Sequence, residues 1–255
     1  MSTALVTGAT AGIGESFTRL LASKGYDLVL VARDKKRLQE RATSLSKKYK
    51  INVEILQADL SVPAQLARVE KRLSSSKKPI EVLINNAGFG IKDSFLVSSI
   101  EDELLLIDVL ARAPMQLMHA VLPQMISRDS GTIINNSSVA SFIAGGTYSA
   151  AKSYLTVHTE SLHTELSKTN IKISALCPGF THTEFHQRGK MKMSGLPNFM
   201  WLEADRVVAE SWQAAQAGKV ICIPGWQYKI LSTIARFGPR PLVRKLGIKI
   251  RARQR

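Results

Sequence analysis

The sequence predicts a single α/β domain built on a doubly wound parallel sheet. Short apolar runs alternate along the whole chain with segments long enough to form helices. These runs are apolar at nearly every position, which is typical of strands buried on both faces of a parallel sheet. The length of 255 residues and the hydrophobic content of 45% suit one domain with a full core.

Strands and helices are predicted in regular alternation, and right-handed crossovers would place helices on both faces of the sheet. We predict strands at residues 4–7, 27–32, 52–58, 82–85, 132–136, 172–177 and 220–223. We predict helices at residues 13–24, 36–49, 63–75, 101–127, 148–167 and 203–217. No apolar run reaches the roughly 18 residues of a membrane span. Because the first strand begins at residue 4, we expect no signal peptide.

Charge is concentrated at the C-terminal end of the chain. The net charge is +15, and residues 226–255 contribute nine basic side chains and no acidic one. We therefore divide the chain into a mildly basic body, 1–225, and a basic C-terminal extension, 226–255. The two cysteines, Cys177 and Cys222, lie in predicted strands, and we expect them to be buried and reduced, as in a cytoplasmic protein. The spacing of His, Cys, Asp and Glu predicts no metal site.

Six predicted strands end in polar residues or glycine. In an open parallel sheet, ligands bind beyond the carboxyl ends of the strands. The residues at these ends are Gly8, Arg33, Asp59, Asn86, Ser138 and the pair Pro178 and Gly179. Their coincidence predicts one binding cleft along this edge of the sheet.

The first strand leads into a helix through a glycine-rich turn with the spacing G-x-x-x-G-x-G. Glycine allows positive φ angles and a close approach of the backbone to a ligand, and a helix N-terminus attracts phosphate. The turn predicts binding of a dinucleotide pyrophosphate, and the alternative is a tight turn without a ligand. The residues concerned are Gly8, Thr10, Ala11, Gly12, Ile13 and Gly14.

Arginine follows the second strand, where an acidic residue would favour the ribose 2′-hydroxyl of NAD. Arg33 suits the 2′-phosphate of NADP, and Arg37 lies one helical turn further on. This pattern predicts NADP(H) rather than NAD(H). The neighbouring Asp34 complicates the interpretation, and the alternative is a pair of solvated surface charges.

Two further strand ends have more than one interpretation. Asp59 and Leu60 could hold the adenine edge, or Asp59 could cap the helix near Pro63. Asn86, Ala87 and Gly88 could line the cleft, whereas Asn85 could equally stabilise a turn.

Tyr148 and Lys152 lie four residues apart and therefore share one face of a helix. A nearby ammonium is expected to lower the pKa of the phenol, which would provide a proton donor near neutral pH. The Tyr-x-x-x-Lys pattern alone is common. A hydroxyl at the end of the preceding strand makes a catalytic interpretation more specific here. We assign this hydroxyl to Ser138, with Ser137 as the alternative.

Taken together, these motifs resemble those of the short-chain dehydrogenase/reductase family, in family order over about residues 3–225. The resemblance implies a Rossmann fold, a nicotinamide cofactor, hydride transfer between a carbonyl and an alcohol, and a dimer or tetramer. It also implies that Tyr148 donates a proton to the carbonyl oxygen, that Ser138 hydrogen-bonds that oxygen, and that Lys152 holds the nicotinamide ribose. Residues implied to surround the nicotinamide are Pro178, Gly179, Thr181 and Thr183.

Two departures from the family pattern stand out. Ser138 precedes Tyr148 by ten residues, which is fewer than usual. Leu110 stands where many members carry an asparagine that supports a proton-relaying water, and leucine offers no hydrogen-bonding group. A nucleotide-binding redox sensor of the same fold, with weak catalysis, is therefore the alternative to an enzyme.

Residues 180–201 are predicted to form a lid over an apolar or acyl-like substrate, because methionines and aromatic residues recur there. The alternative is a loop that packs its own apolar side chains. The residues concerned are Phe185, Met191, Met193, Phe199, Met200 and Trp201, with Arg188, Lys190 and Lys192 among them. His182 and His186 are expected at the surface.

The extension begins with a helical pattern over residues 227–237, in which Ile230, Leu231, Ile234 and Phe237 form an apolar stripe. A basic run follows, so one hypothesis is peripheral contact with an anionic membrane. The alternative is a helix that packs on the body, over the substrate pocket or at a subunit contact. Few aromatic residues accompany the basic ones, so we expect no nucleic-acid binding.

Overall fold

Seven parallel strands form one sheet in the order β3-β2-β1-β4-β5-β6-β7. The computed structural model describes residues 2–189, 197–241, 243–245 and 247. All seven predicted strands are confirmed, with ends that differ by at most two residues. They are β1 Thr3–Thr7, β2 Asp27–Ala32, β3 Val53–Gln57, β4 Ile80–Asn85, β5 Gly131–Asn136, β6 Ile171–Leu176 and β7 Ile221–Cys222.

The described helices cover both faces of this sheet, as the doubly wound prediction requires. They are α1 Gly12–Ser23, α2 Lys35–Tyr49, α3 Pro63–Leu73, α4 Ile100–Ile107, α5 Ala113–Arg128, α6 Thr147–Glu165, α7 Phe185–Arg188, α8 Ala204–Gln216 and α9 Trp226–Phe237. Short 3₁₀ turns add Val139–Phe142 and Asn198–Met200. The single-domain α/β fold predicted from the sequence is therefore confirmed.

Alternate residues of the buried strands pack into two separate cores. On β1, Ala4 and Val6 join a cluster with α1, α2 and α8, whereas Leu5 joins a second cluster with α3, α5 and α6. Successive strand side chains point to opposite faces. Because alternate residues enter different cores, the strands are apolar at successive positions and not only at every second one.

One long helix spans residues 100–128 because a π-helical turn, Asp108–Arg112, joins α4 to α5. By length and composition this helix could cross a membrane, which the lengths of uninterrupted apolar runs did not indicate. It is the one such helix within the described ranges. Its Leu117, Val121 and Met125 are buried in the second core cluster, so packing against the sheet already accounts for its apolar character.

Helix α9 packs on the body through a different face from the predicted one. Of the four residues in the predicted stripe, only Leu231 packs against the core. The helix instead buries Tyr228, Ser232 and Ala235, which lie at helical spacing along a second side of the helix.

Tyr228 is the largest side chain that α9 inserts into the body. Its ring fills the space that a Cβ at Gly179 would occupy, so the turn after β6 lies directly on the ring. Its hydroxyl accepts a hydrogen bond from the Phe180 amide at 2.9 Å and donates one to the Met200 carbonyl. One buried phenol therefore connects both ends of the predicted lid to α9.

We predict that Tyr228→Phe lowers the free energy of unfolding by about 1–3 kcal/mol, because the Phe180 amide and the Met200 carbonyl both lose their partner. Chemical denaturation measures the change. Tyr154→Phe, which removes a hydroxyl from an exposed side chain on α6, is the control. Equal stabilities for the Tyr228 and Tyr154 variants would contradict the bridging role.

Candidate active site

A cleft of about 1000 Å³ opens at the carboxyl edge of the sheet, where β1 and β4 diverge into crossovers on opposite faces. It brings together every predicted cofactor-binding and catalytic residue except Gly14. Gly14 is buried under the turn, where a Cβ would overlap the Gly8 carbonyl oxygen. Its role is therefore to let α1 approach the glycine-rich turn.

The glycine-rich turn presents the N-terminus of α1 to the cleft. Gly8 has a φ of +65°, and a Cβ there would lie 2.9 Å from the Cα of Ala87. Within the described part of the chain, no side chain caps α1, whose N-cap residue is Ala11. Backbone N–H groups at such an end suit a phosphate group, so this end of the cleft fits a dinucleotide.

Both arginines after β2 line the cleft, but their surroundings differ. Arg33 is largely exposed, with its Nη1 3.9 Å from an oxygen of Asp59. Arg37 donates to both carboxylate oxygens of Glu184, at 3.0 and 2.8 Å. The complication raised by Asp34 is resolved by geometry, because its side chain caps α2 by accepting from the Arg37 amide.

Glu184 connects the lid to the phosphate-binding side of the cleft. Hydrogen bonds from Arg37 and Arg188 lower the pKa of Glu184 to about 2. This carboxylate is therefore charged at any physiological pH. Sequence reasoning missed the pair, since 147 residues separate Arg37 from Glu184.

Asp59 does not cap α3, the helix for which the sequence left this role open. Its Oδ1 accepts from the Ser61 amide and the Ser61 hydroxyl, at 3.0 and 2.7 Å, and the cap residue of α3 is Val62. Burial alone would raise the pKa of Asp59, but the bonds from Ser61 and the charge of Arg33 outweigh burial and lower it. Asp59 is therefore held as a carboxylate beside Leu60 on the cleft wall.

Asn86 joins three strand ends. Its Nδ2 donates to the Thr7 and Gly8 carbonyls after β1, at 3.0 and 3.3 Å. Its Oδ1 accepts from Asn136 Nδ2 at the end of β5, at 2.9 Å. Asn85, for which the sequence left a turn as an alternative, instead lies buried and donates to Asn135.

The two serines after β5 have distinct environments. Ser137 is buried and bonds to the Lys152 carbonyl and the Thr156 hydroxyl, at 2.9 and 2.6 Å. Ser138 lines the cleft together with Tyr148, and its Oγ accepts from the Ala140 amide at 3.1 Å. Geometry thus favours Ser138 as the hydroxyl available at the tyrosine.

The pKa of Tyr148 differs from the sequence prediction. Burial raises it to about 12, and the Ser138 hydroxyl offsets this rise only in part. Lys152 Nζ does lie near the ring, 5.8 Å from its centroid. Our expectation of a lowered pKa was wrong for this structure because burial disfavours the charged phenolate.

Lys152 is itself buried, and burial lowers its pKa to about 8. Its Nζ donates to the backbone carbonyl of Asn136 at 2.5 Å. The amine is therefore fixed between α6 and the end of β5.

Leu110 lies inside the π-helical turn and offers the amine no hydrogen-bonding group. It is buried, and a Cβ at Gly88 would lie 2.8 Å from its Cδ2. Leu110, Asn136 and Lys152 line a cavity of about 10 Å³, which is roughly the space of one water molecule. The Asn136 carbonyl, rather than an asparagine at position 110, is the observed partner of Lys152.

Only part of the predicted lid lies within the described residues. Phe185 and Met200 line the cleft, and the Phe185 ring lies 6.0 Å from that of Tyr148. Trp201 instead packs against Phe180 and His182 and does not line the cleft. Lys190, Met191, Lys192 and Met193 lie outside the described residues, as does the side chain of His186.

Several cleft residues were missed by sequence reasoning. They come from the loop after β4, from the turn before α6, and from the extension: Phe89, Ile91, Ile143, Tyr228, Leu231, Ser232, Ala235 and Gly247. The apolar spacing of residues 227–237 could have indicated α9 as a wall, since the alternative of packing over the pocket was open. The inner face of α9 does line the cleft, so the predicted alternative of packing over the pocket is confirmed for that face.

Fold and cleft together define a Rossmann-type nucleotide-binding protein with a tyrosine and a lysine at the deep end of its cleft. Residues 2–193 match the model of the short chain dehydrogenase family. The chain belongs to the short-chain dehydrogenase/reductase family and is an oxidoreductase, as its motifs predicted.

Similar proteins cover most of the chain. An NADP-dependent 3-hydroxy acid dehydrogenase from Schizosaccharomyces pombe is 35% identical over 188 residues, which are 72% of this chain and 73% of that protein. A short-chain dehydrogenase from Sphingobium yanoikuyae, solved with NADPH, is 34% identical with a TM-score of 0.85, covering 91% and 93% of the two chains. A bulky-bulky ketone specific alcohol dehydrogenase from Comamonas testosteroni is 29% identical, with a TM-score of 0.80 and 91% of both chains covered.

We predict that Lys152→Met stabilises the protein at pH 7 by about 1–3 kcal/mol, because it removes a buried ammonium whose pKa is lowered from 10.5 to about 8. The unfolded chain keeps this proton up to pH 10.5 and the folded chain only up to about pH 8. The stability of the unmodified protein should therefore rise between these values, and that of the variant should lack this rise.

Urea unfolding at pH 7 and at pH 9.5 measures both effects, with Lys47→Met on the exposed face of α2 as the control. A Lys152→Met protein that is less stable than the control at pH 7 would contradict the argument from burial.

Proposed function

We propose that this protein is an NADP(H)-dependent oxidoreductase that reduces the carbonyl group of an apolar substrate to an alcohol. The observation that carries this proposal is the arrangement at the deep end of the cleft. There Tyr148 and Ser138 both line the cleft, and Tyr148 shares α6 with a buried lysine that is held by the Asn136 carbonyl. This arrangement suits proton transfer to an oxygen atom beside Tyr148.

In the proposed reaction, bound NADPH supplies the hydride. Tyr148 donates its hydroxyl proton to the carbonyl oxygen, and Ser138 donates a hydrogen bond to the same oxygen. A phenol with a pKa of about 12 stays protonated at neutral pH, which favours reduction over oxidation in this state. Lys152 would hold the nicotinamide ribose, and its positive charge would favour the phenolate left after proton transfer.

The choice of NADP(H) rests on the charge around the adenosine end of the cleft. Arg33 is the more exposed of the two arginines, whereas Arg37 is already bonded to Glu184. We assign the 2′-phosphate contact mainly to Arg33. The names of the S. pombe and Sphingobium relatives, which specify NADP or NADPH, support this choice.

The proposed apolar substrate follows from the lining of the cleft around Tyr148. Beyond the predicted cofactor residues, the wall consists mainly of aromatic and aliphatic side chains: Phe89, Ile91, Leu105, Val109, Ile143, Phe185 and Leu231. Such a wall suits a ketone with bulky apolar groups or a long-chain acyl group. An assay of NADPH oxidation against bulky ketones, steroids, β-ketoacyl thioesters, sugars and small ketones tests the substrate class.

A redox sensor with little catalysis is the second candidate, and Leu110 is the observation that favours it. Leucine cannot hold the relaying water that an asparagine would hold. Tight NADPH binding without turnover of any carbonyl in the panel would favour the sensor.

We also propose that the protein acts as a homo-oligomer in the cytoplasm. The outer faces of α4, α5 and α6 carry exposed apolar side chains that a second copy could cover, namely Ile100, Leu104, Ile107, Met115, Tyr154 and Val157. The two cysteines are buried and free, which suits a reducing compartment.

Tyr148→Phe should reduce kcat by at least about 10²-fold, because it removes the proton donor and keeps the ring. NADPH affinity, measured by the fluorescence of the nicotinamide on binding, should change little. Tyr154→Phe on the same helix is the control and should keep full activity. Near-normal turnover by the Tyr148 variant would refute its role as the acid.

Arg33→Ala should weaken NADPH binding by about 1.5–3 kcal/mol, the scale of a hydrogen bond to a charged group, and leave NADH binding nearly unchanged. Direct titration of each cofactor separates binding from catalysis. Arg41→Ala on α2, where Arg41 pairs with Glu15, is the matched control. Equal losses for NADPH and NADH would rule out a 2′-phosphate contact.

A further inference from the structure

We propose that the outer face of α9 docks on an anionic lipid surface. Helix α9 has two apolar sides, and the inner one is already used against the body by Tyr228, Leu231 and Ala235. The outer side carries three of the four residues of the stripe expected from the sequence, Ile230, Ile234 and Phe237, and adds Trp226 to them.

This outer row consists of four residues at helical spacing. Trp226, Ile230, Ile234 and Phe237 are exposed to 66%, 52%, 53% and 81%. Positions separated by four, four and three residues lie along one side of a helix, so the four side chains form a continuous strip. Phe199, exposed to 60%, lies beside the start of the helix, where its carbonyl accepts from the buried Gln227.

The charge around this strip identifies its partner. Lys229, Arg240, Arg244 and Lys245 are exposed, and residues 226–255 contain no acidic side chain. Arg236 already has partners within the chain, because it lies 3.8 Å from Glu160 and over the ring of Phe142. An apolar strip that is followed in the chain by exposed cations suits the interface of an anionic bilayer, where insertion and charge attraction add.

A second copy of the chain fits this face less well. Symmetric docking through α9 would bring two basic extensions together, each with nine basic side chains and no acidic side chain of its own. Like charges at such short range oppose association. Lipid headgroups supply the opposite charge that a second copy lacks.

Docking would place the cleft next to the lipid. The inner face of α9 lines the cleft through Leu231, Ser232 and Ala235, so a single helix would separate lipid from substrate. If the proposed function holds, a lipophilic carbonyl compound could then enter from the membrane. This consequence rests on the proposed function, whereas the docking itself does not.

Flotation of the full-length protein with vesicles tests the docking without any assay of activity. We expect the protein to float at low salt with vesicles of phosphatidylcholine and phosphatidylglycerol. It should stay behind with vesicles of phosphatidylcholine alone, and added salt should release it. The emission of Trp226 should shift to the blue on binding, and Trp226→Phe should abolish that shift.

Two variants separate the apolar strip from the charges. Ile230→Ser should lower the bound fraction by up to about tenfold, since one buried isoleucine contributes on that scale. Ile126→Ser is matched in exposure, at 51%, and lies at the opposite end of the sheet, so it should bind as the unmodified protein does. Replacing Arg240, Arg244 and Lys245 by Gln should weaken binding and flatten its dependence on salt.

Three results would overturn the proposal. The first is a protein that stays in the soluble fraction with anionic vesicles at low salt. The second is equal loss of binding for Ile230→Ser and Ile126→Ser. The third is a fall in oligomeric mass for Ile230→Ser but not Ile126→Ser, which would assign the strip to a contact between copies. If the unmodified protein floats with anionic vesicles but reduces no carbonyl compound in the panel, only the proposed function is contradicted.

Discussion

The cleft depends on the side chain of Asn86, which joins the ends of three strands. Its amide and carbonyl groups connect the end of β1 to Asn136 at the end of β5. The backbone carbonyl of Asn136 in turn holds the amine of Lys152. The position of the lysine is thus determined by the register of the central strands rather than by a flexible loop, which suits a site that must hold its geometry.

Burial governs the electrostatics of the deep end of the cleft. It raises the pKa of Tyr148 and lowers that of Lys152, so each group is driven toward its neutral form. A site of this kind costs folding stability, which the two large apolar cores on either side of the sheet offset.

Sequence reasoning located the strand ends well, because strands buried on both faces leave an unbroken apolar signal that ends abruptly at Gly8, Asn86 or Ser138. It failed where the outcome depended on contacts between distant residues. The pairing of Arg37 with Glu184 and the bridge made by Tyr228 leave no local pattern. The apolar spacing of α9 was read correctly as a helix, but periodicity alone could not tell which of two apolar sides would face the body.

The packing of Tyr228 beneath Gly179 makes the C-terminal segment a structural component rather than an appendage. A truncation near residue 225 would remove the floor of the lid and leave the turn after β6 without support. The space that the ring fills at Gly179 would then stay empty unless another side chain occupied it. Exchange of this segment therefore offers a route by which related proteins can diverge in the shape of the cavity while the strands and the glycine-rich turn stay the same.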